Sequence, residues 1–343
     1  MKEKTVVIGM SGGVDSSVAA CILKEEGYNV IGATMQLLDN EETTSAIKDA
    51  KKIAKQLQIP HYVFDLRKEF KNQIIKGFIE SYQKGLTPNP CVNCNRLFKF
   101  GMFFQKAKEL GANYIATGHY AKVENNHLMI SKTDGKDQSY FLCQIEKDIL
   151  PYILFPLKNY ASKEEIRQIA RKYHLPVSEK KDSQEICFIP NDDYKSFLSQ
   201  HIKQETGNII LTDGTILGTH EGIYQYTIGQ RKGLNISYKE PLYVIDINPK
   251  DNTVIVGTND ELMKQQLQAT NMNYLVSKEE FYQKPIYAKI RSRGALEEVE
   301  KIEEKENKLI VTFKNKIRAI TPGQFIAFYN ENKECLGGAY IKK

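Results

Sequence analysis

The chain has 343 residues, 26% charged and 41% hydrophobic, with a formal net charge of +6; these are values of an ordinary folded protein long enough for two or three cores. No run of about 18 apolar residues exists, which excludes a membrane-spanning helix. Met1-Lys2-Glu3-Lys4 passes through Thr5-Val6-Val7-Ile8 into a polar Ser-Gly-Gly turn, unlike a secretory leader, so a cytoplasmic location without a membrane partner is expected.

The mild positive charge permits an anionic partner without requiring one. A strand is predicted over 5–9 and a helix over 16–26, closed by Gly27. Strand 29–36, helix 44–57, strand 61–65 and helix 68–84 follow, then helix 98–110, strand 114–117 and helix 162–173. Strand and helix alternating in this way predict a parallel sheet covered on both faces. Beyond about residue 190 the helical period fades. Runs over 241–247 and 253–257 frame the polar turn Asn248-Pro249-Lys250-Asp251-Asn252 as a hairpin. From Pro285 the residues Ile286, Ala288 and Ile290 alternate with Tyr287, Lys289 and Arg291, and apolar runs recur over 309–313, 324–329 and 336–341. The expected fold is α/β, with an N-terminal doubly wound parallel-sheet domain over 1–191. A small central linking domain over 192–262 and a C-terminal antiparallel β-barrel over 263–343 complete it.

The turn after the first strand reads Ser11-Gly12-Gly13-Val14-Asp15-Ser16. A glycine-rich turn that opens a helix brings free backbone N–H groups and the helix dipole against an anion, the usual way to hold polyphosphate. It lacks the lysine of a Walker A loop, and Gly9, Gly12 and Gly13 do not make G-x-G-x-x-G. What remains, S-G-G-x-D-S, resembles the PP-loop of the ATP pyrophosphatases. That resemblance implies ATP cut between its α and β phosphates and AMP passed to a substrate oxygen. Ser11 and Ser16 would bond phosphate, and Asp15 would help hold Mg²⁺.

Of six cysteines, Cys91 and Cys94 form the only C-x-x-C, inside Thr87-Pro88-Asn89-Pro90-Cys91-Val92-Asn93-Cys94-Asn95. Uneven spacing does not make a disulfide framework. Two prolines predict an exposed loop rather than a helix interior. Half a zinc site and a nucleophilic or redox thiol of lowered pKa both fit, and no second C-x-x-C completes a zinc set. Cys187, in Asp182-Ser183-Gln184-Glu185-Ile186-Cys187-Phe188, has strand-like neighbours and suits either a core position or chemistry. Cys21, Cys143 and Cys335 sit beside apolar residues and read as core. Tyr287, Lys289, Arg291 and Arg293 interleave an aromatic with cations on one β segment, a composition suited to RNA. Gln230-Arg231-Lys232-Gly233 suits RNA phosphate or carboxylate partners equally.

The set G-M-S-G-G-V-D-S-S, T-P-N-P-C-V-N-C-N, A-T-G-H-Y-A, K-D-Q-S-Y-F-L, S-Q-x-I-C-F, Y-T-I-G-Q-R-K-G-L and L-G-G-A runs from Gly9 to Ala339. Together these motifs resemble the bacterial tRNA-specific 2-thiouridylase family over essentially the whole chain. The resemblance implies that ATP adenylates O2 of the wobble uridine in tRNAs for Lys, Glu and Gln. Sulfur from a cysteine persulfide then replaces that oxygen and AMP leaves. The persulfide would come from a cysteine desulfurase or relay protein.

Matched position by position, Cys94 is the family's nucleophile and Cys187 its persulfide carrier, and the two close a transient disulfide. Gly9, Met10, Ser11, Gly12, Gly13, Val14, Asp15 and Ser16 match the ATP loop, with Met35 and Gly118 at the adenosine. His119, Lys136, Asp137, Gln138, Arg291, Ser292 and Gln324 match tRNA-contacting positions. Asn89, Pro90 and Cys91 match the segment that meets the flipped-out base. One departure stands out: many members carry Asp where this chain has Cys91. Three converging thiolates from Cys91, Cys94 and Cys187 would suit a [4Fe–4S] cluster with one open iron, a rival route for the sulfur. Two other classes remain: a PP-loop amidotransferase or small-molecule ligase, which has no need of Cys94 and Cys187, and a non-enzymatic RNA-binding protein, which has no need of the phosphate loop.

Overall fold

A computed structural model describes residues 4–132, 136–180, 186–283 and 285–343. Strand β1 (Thr5–Gly9) turns into helix α1 (Val14–Glu25), and β2 (Asn29–Gln36), α2 (Glu41–Gln56) and β3 (His61–Asp65) follow. A long helical stretch then runs through α3 (Arg67–Phe70), a wide π-helical turn over 71–75, and α4 (Lys76–Gln83). The next begins at α5 (Pro90–Cys94), widens to a π-helix over Asn95–Met102 and ends in α6 (Phe103–Glu109). Strand β4 (Tyr114–Ala116), the hairpin β5 (Lys122–Glu124) with β6 (His127–Met129), β7 (Ile153–Leu154) and α7 (Lys163–Lys172) complete the nucleotide-side domain.

Its sheet is all parallel in the order β3-β2-β1-β4-β7. Val6, Val7 and Ile8 are wholly buried, because helices cover both faces and leave a central strand no polar side. Val6 and Ile8 pack with Val18, Ile53 and Ile166 on one face, whereas Val7 packs with Phe103, Ile115 and Leu142 on the other. At about 25 cal/mol per Å² such burial is the main favourable term of the fold.

One sequence expectation fails at a decisive place. Pro88 and Pro90 do not make an exposed loop around the cysteines. Pro90 sits at the first position of α5 with Asn89 as its N-cap, where a missing N–H costs nothing and the fixed φ suits a helix. Cys91 and Cys94 therefore project from a helix, and Cys94 is buried. Nor does Cys187 lie on a strand. It occupies an exposed turn before a short 3₁₀ segment over Pro190–Asp192. Ser183 and Gln184 of its motif lie outside the described residues.

Helix α8 (Tyr194–Ser199) leads to β8 (Gly207–Leu211), β9 (Ile216–His220), β10 (Tyr243–Asn248) and β11 (Thr253–Gly257), a sheet in the order β10-β11-β8-β9. The expected hairpin is β10 paired antiparallel to β11. The last part comprises β12 (Met263–Tyr274), α9 (Lys278–Phe281), β13 (Ile286–Lys289), β14 (Glu297–Lys305), β15 (Lys308–Arg318), β16 (Phe325–Asn330) and β17 (Cys335–Ile341). Its six strands close into a barrel in the order β12-β15-β14-β13-β16-β17, so no strand edge is left open.

The barrel seats on the nucleotide domain through polar bonds made to backbone. Asn273 Nδ2 donates to the carbonyls of Cys143 (3.1 Å) and Ile145 (2.7 Å), and Gln144 Nε2 donates to Gly338 O. A Cβ at Gly338 would fall 2.5 Å from Cys143 Sγ, so glycine is what permits this approach. Cys21, Cys143 and Cys335 are buried, as their apolar neighbours predict. Among the described residues no helix is long and apolar enough to cross a membrane.

Candidate active site

Beyond β1 the phosphate loop is held by its own side chains. Ser11 N donates to Ser16 Oγ at 3.2 Å, the two hydroxyls lie 3.2 Å apart, and Ser17 Oγ donates to Gly13 O at 2.7 Å. Met10 is buried and its N–H donates to Ala33 O. Gly12 has φ +68, and a Cβ there would fall 2.4 Å from Ala46 O on α2. Gly13 is the N-cap of α1, and Val14 is its first residue. Gly118, just after β4, presses on the far side of the loop; its Cβ would fall 2.8 Å from Ser16 N. Gly9 ends β1, and Met35 is the last but one residue of β2 beside it. The ten residues matched to ATP thus surround one sheet edge, at the carboxyl ends of parallel strands, where open α/β sheets take ligands.

Two lysines at this loop carry no motif and escaped the sequence. Lys163 Nζ donates to Asp15 Oδ1 at 2.7 Å, and the same oxygen accepts from Tyr120 Oη at 2.7 Å. Lys180 Nζ donates to Gly12 O (3.0 Å) and pairs with Asp49 (2.9 Å). The signal was indirect: each opens or follows α7, far from the loop in sequence, and only the fold makes them neighbours.

The three thiols Cys91, Cys94 and Cys187 are free and act on one another electrostatically. Burial raises the Cys94 thiol to about 11, with the Lys99 ammonium pulling it down and Cys91 pushing it up. Burial also raises Cys91, again against Lys99. Cys187 is raised as well, first by desolvation among surrounding protein and then by Cys94 and Cys91. The residue as a whole is exposed, yet its thiol is pushed up to about 12 by desolvation. The expected lowered pKa is therefore not a property of the resting arrangement. Five-residue α5 supplies little dipole, and a single cation serves three desolvated sulfurs.

Among the described residues, the one group of at least three His, Cys, Asp or Glu ligand atoms mutually within 4.8 Å is His127, Glu280 and Glu334. The three sulfurs are accordingly not drawn around one point for a single ion. As a set of three soft, unbridged donors they fit the larger [4Fe–4S] group by chemistry.

The residues matched to tRNA divide. Asn89 Nδ2 donates to Gln324 Oε1 (3.4 Å) and Gln324 Nε2 to Thr87 O (2.9 Å), so the barrel meets the segment carrying Asn89, Pro90 and Cys91. Arg291 donates to the carbonyls of Ala319 (2.8 Å) and Arg318 (3.2 Å), and its charge is felt by Tyr140, which lies against the same segment. Ser292 is half-buried beside it. Lys136 is exposed, over the Tyr120 ring at 5.9 Å. Asp137, by contrast, accepts from Ser131 N, Ser139 N and Ser139 Oγ and lies 3.9 Å from Lys289. Gln138 exchanges bonds with the Tyr120 backbone. His119 is buried against Phe100 and Phe155 and hydrogen-bonded to Thr117; burial holds its pKa well below the usual value, so it is neutral. Lys289 also points inward, over the Tyr329 ring, and β13 ends there. The anticipated basic β face is thus reduced to Arg291 and Arg293 beyond the strand.

Gly323 has φ +99, and a Cβ there would lie 2.8 Å from Thr87 N, C and O. Gly323→Ala should push the barrel loop off the Thr87 segment and weaken tRNA binding about tenfold, some 1.4 kcal/mol, with ATP affinity unchanged. Paired tRNA and ATP binding measurements check this. Equal loss of both would show a general unfolding.

A parallel-sheet nucleotide domain followed by two β modules, with a glycine loop and free thiols on the nucleotide domain, defines a multidomain enzyme of the PP-loop class. Three family models match in order: the tRNA methyl transferase HUP domain over residues 4–191, the tRNA methyl transferase PRC-barrel domain over 195–258 and the aminomethyltransferase beta-barrel domain over 264–341. The chain belongs to the tRNA-specific 2-thiouridylase family. It is 45% identical to tRNA-specific 2-thiouridylase MnmA 1 of Caldanaerobacter subterraneus subsp. tengcongensis over 98% of each chain. It is 44% identical to the MnmA of Caldicellulosiruptor saccharolyticus and 41% to that of Clostridioides difficile, each over 99% of both chains. The U34-tRNA thiolase NcsA of Methanococcus maripaludis, solved with its [4Fe-4S] cluster, is 20% identical over 57% of this chain and 63% of that one, with a TM-score of 0.38, a likeness too low to bear on chemistry.

Proposed function

We propose that this protein is an ATP-dependent tRNA-uridine 2-sulfurtransferase that converts the wobble uridine of tRNAs for Lys, Glu and Gln to 2-thiouridine. The observation that carries the reading is the meeting, in one fold, of a phosphate loop with three free, mutually interacting thiols. A nucleotide loop alone would serve any ligase; thiols carried in the same domain select sulfur as the group that displaces the adenylate.

In this reading Gly9 to Ser16 cradle the triphosphate, with Met35 and Gly118 at the adenosine. Asp15 helps hold Mg²⁺ through the carboxylate that Lys163 now neutralises, so an entering ion competes with that ammonium. Uridine O2 attacks the α-phosphorus and pyrophosphate leaves with the bonding electrons. O2 is hidden in a stacked base, so the nucleotide is extruded against Asn89, Pro90 and Cys91. Lys136, Arg291, Ser292 and Gln324 hold the RNA; Asp137, Gln138 and His119 hold the segments around it. The terminal sulfur of a Cys187 persulfide attacks C2, and AMP leaves with the C2–O2 electron pair. Cys94 thiolate then attacks the Cys187 sulfur, forming a Cys94–Cys187 disulfide and freeing the thiouridine. A two-electron thiol reductant resets that disulfide, and a cysteine desulfurase or relay protein reloads Cys187. Residues 1–191 would perform the chemistry, 192–262 link, and 263–343 contact tRNA.

Cys91 supports a second reading of the sulfur source. A [4Fe–4S] cluster on Cys91, Cys94 and Cys187 would supply sulfur at its open iron. The three raised thiols would then lose their protons on ligation.

Incubating protein, ATP, Mg²⁺, unmodified tRNA and a sulfur donor should yield 2-thiouridine in digested RNA, read by mass spectrometry. No sulfur-dependent mass shift with any donor overturns the reading. Cys91→Asp assayed with and without iron separates the sulfur sources. Full thiolation by the iron-free variant excludes a three-cysteine cluster, and loss of both iron and activity excludes the persulfide route.

A further inference from the structure

Lys99 belongs to no motif matched above, yet it lies on the wide turn that follows Cys94. The π-helix over Asn95–Met102 has Cys94 as its N-cap, so its first wide turn closes from Cys94 to Lys99. In a π turn residues five apart share a face; in a regular α-helix Lys99 would be rotated away from the thiols. Phe98 and Phe100 are buried on either side. Phe98 packs with Cys94, while the Phe100 ring lies 5.8 Å from His119. His119 follows Gly118, which presses on Ser16 N of the phosphate loop. Lys99 therefore lies on a turn whose flanking residues pack toward Cys94 on one side and His119 on the other, and its charge reaches Cys91, Cys94, Cys187 and His119.

Among the described residues no carboxylate lies within ion-pair or hydrogen-bonding distance of Lys99, although its side chain is half-buried. A partly desolvated ammonium without a counter-charge is costly to keep. Among the described residues, such an arrangement suits an anionic group of the substrate.

We propose that Lys99 is a catalytic residue whose ammonium holds the α-phosphate of the adenylated uridine beside the thiols. This rests on the thiolation reading. In the adenylate the α-phosphate is bonded to O2, one bond from the C2 that sulfur attacks, so it must lie next to the sulfurs. As C2–S forms and C2–O2 breaks, the electron pair moves onto the departing AMP oxygen. A fixed cation there stabilises charge that grows only in the transition state.

The test compares wild type with Lys99→Met, Lys99→Gln and Lys99→Arg, using ATP, Mg²⁺, unmodified tRNA and a sulfur donor. Pyrophosphate release, 2-thiouridine, tRNA affinity and melting temperature are followed together. Thiolation should fall about 10²–10³-fold in Met and Gln, with adenylated tRNA accumulating, and Arg should recover most of it. Removing an unpaired ammonium should leave melting unchanged or raised. Wild-type thiolation in Lys99→Met, an equal fall in pyrophosphate release, loss of tRNA affinity, or loss of the fold in both Met and Gln overturns the assignment. Wild-type protein that makes no 2-thiouridine overturns the thiolation reading instead, so the two failures are told apart.

Discussion

Cys94→Ser and Cys187→Ser should each abolish thiolation, by at least about 10³-fold on the scale of losing a catalytic nucleophile. Both should retain tRNA-dependent pyrophosphate release. The expectation follows from separation of the two chemistries: loop bonds run among Ser11, Gly13, Ser16 and Ser17, and none involves a thiol. Serine keeps the size of cysteine within a fraction of an ångström, so the α5 packing around Cys94 survives. The two variants should differ in one respect. Cys94 is buried in a cluster with Phe98, Phe70 and Phe188, whereas Cys187 is exposed; a buried hydroxyl in that cluster costs about 1–3 kcal/mol if unpaired. Cys94→Ser should therefore melt lower than Cys187→Ser. Quantifying 2-thiouridine, pyrophosphate and melting on the same preparations checks all three statements. Loss of tRNA binding in either variant would assign the cysteine to structure.

Gly12→Ala should remove ATP use altogether. Two penalties act at once: φ +68 costs an L-residue about 1–2 kcal/mol, and the new methyl meets Ala46 O at 2.4 Å. Relief requires moving α2 or reshaping the loop, and either displaces the N–H groups aimed at phosphate. Pyrophosphate release should drop at least about 10²-fold, as expected when preorganised donors are lost, together with a lower melting temperature. Gly214→Ala is the control. Gly214 has φ +90 in the β8–β9 turn but nothing within 4 Å of its Cβ, so it carries the backbone penalty without the clash. Similar losses of ATP use in both variants would contradict the steric account.

Much of the nucleotide domain was legible because its signals are local. Buried parallel strands such as Thr5–Gly9 are continuous apolar runs, and α7 announces itself by Ser162 capping Glu165 N. The barrel was only half legible. β14 reads Glu-Glu-Val-Glu-Lys-Ile-Glu-Glu-Lys, in which Val299 alone is buried, and the polar β12 hides its inward Leu267 and Ala269 among Gln and Asn. Outward-facing charge swamps the alternation there. Cys91 and Cys94 were misplaced onto a loop because proline at a helix start and proline in a loop look alike until the N-cap is seen. Lys99, Lys163 and Lys180 were invisible for another reason: a lysine's role is set by its neighbours in space, and those of Lys163 and Lys180 are more than a hundred residues distant in sequence.

The short run Thr87–Asn89 has a consequence for how such chains can be recombined. Thr87 N–H donates to Pro322 O, Thr87 O accepts from Gln324, and Thr87 Oγ1 donates to Thr227 Oγ1 of the central module. Thr87 on the nucleotide side is therefore gripped by both β modules, and Asn89 by the barrel, away from the nominal boundaries near 192 and 262. Chimaeras built by exchanging whole modules between relatives at those boundaries would inherit mismatched grips. The unit that must travel together is the 87–89 run with the 321–324 turn, two pieces separated by most of the polypeptide.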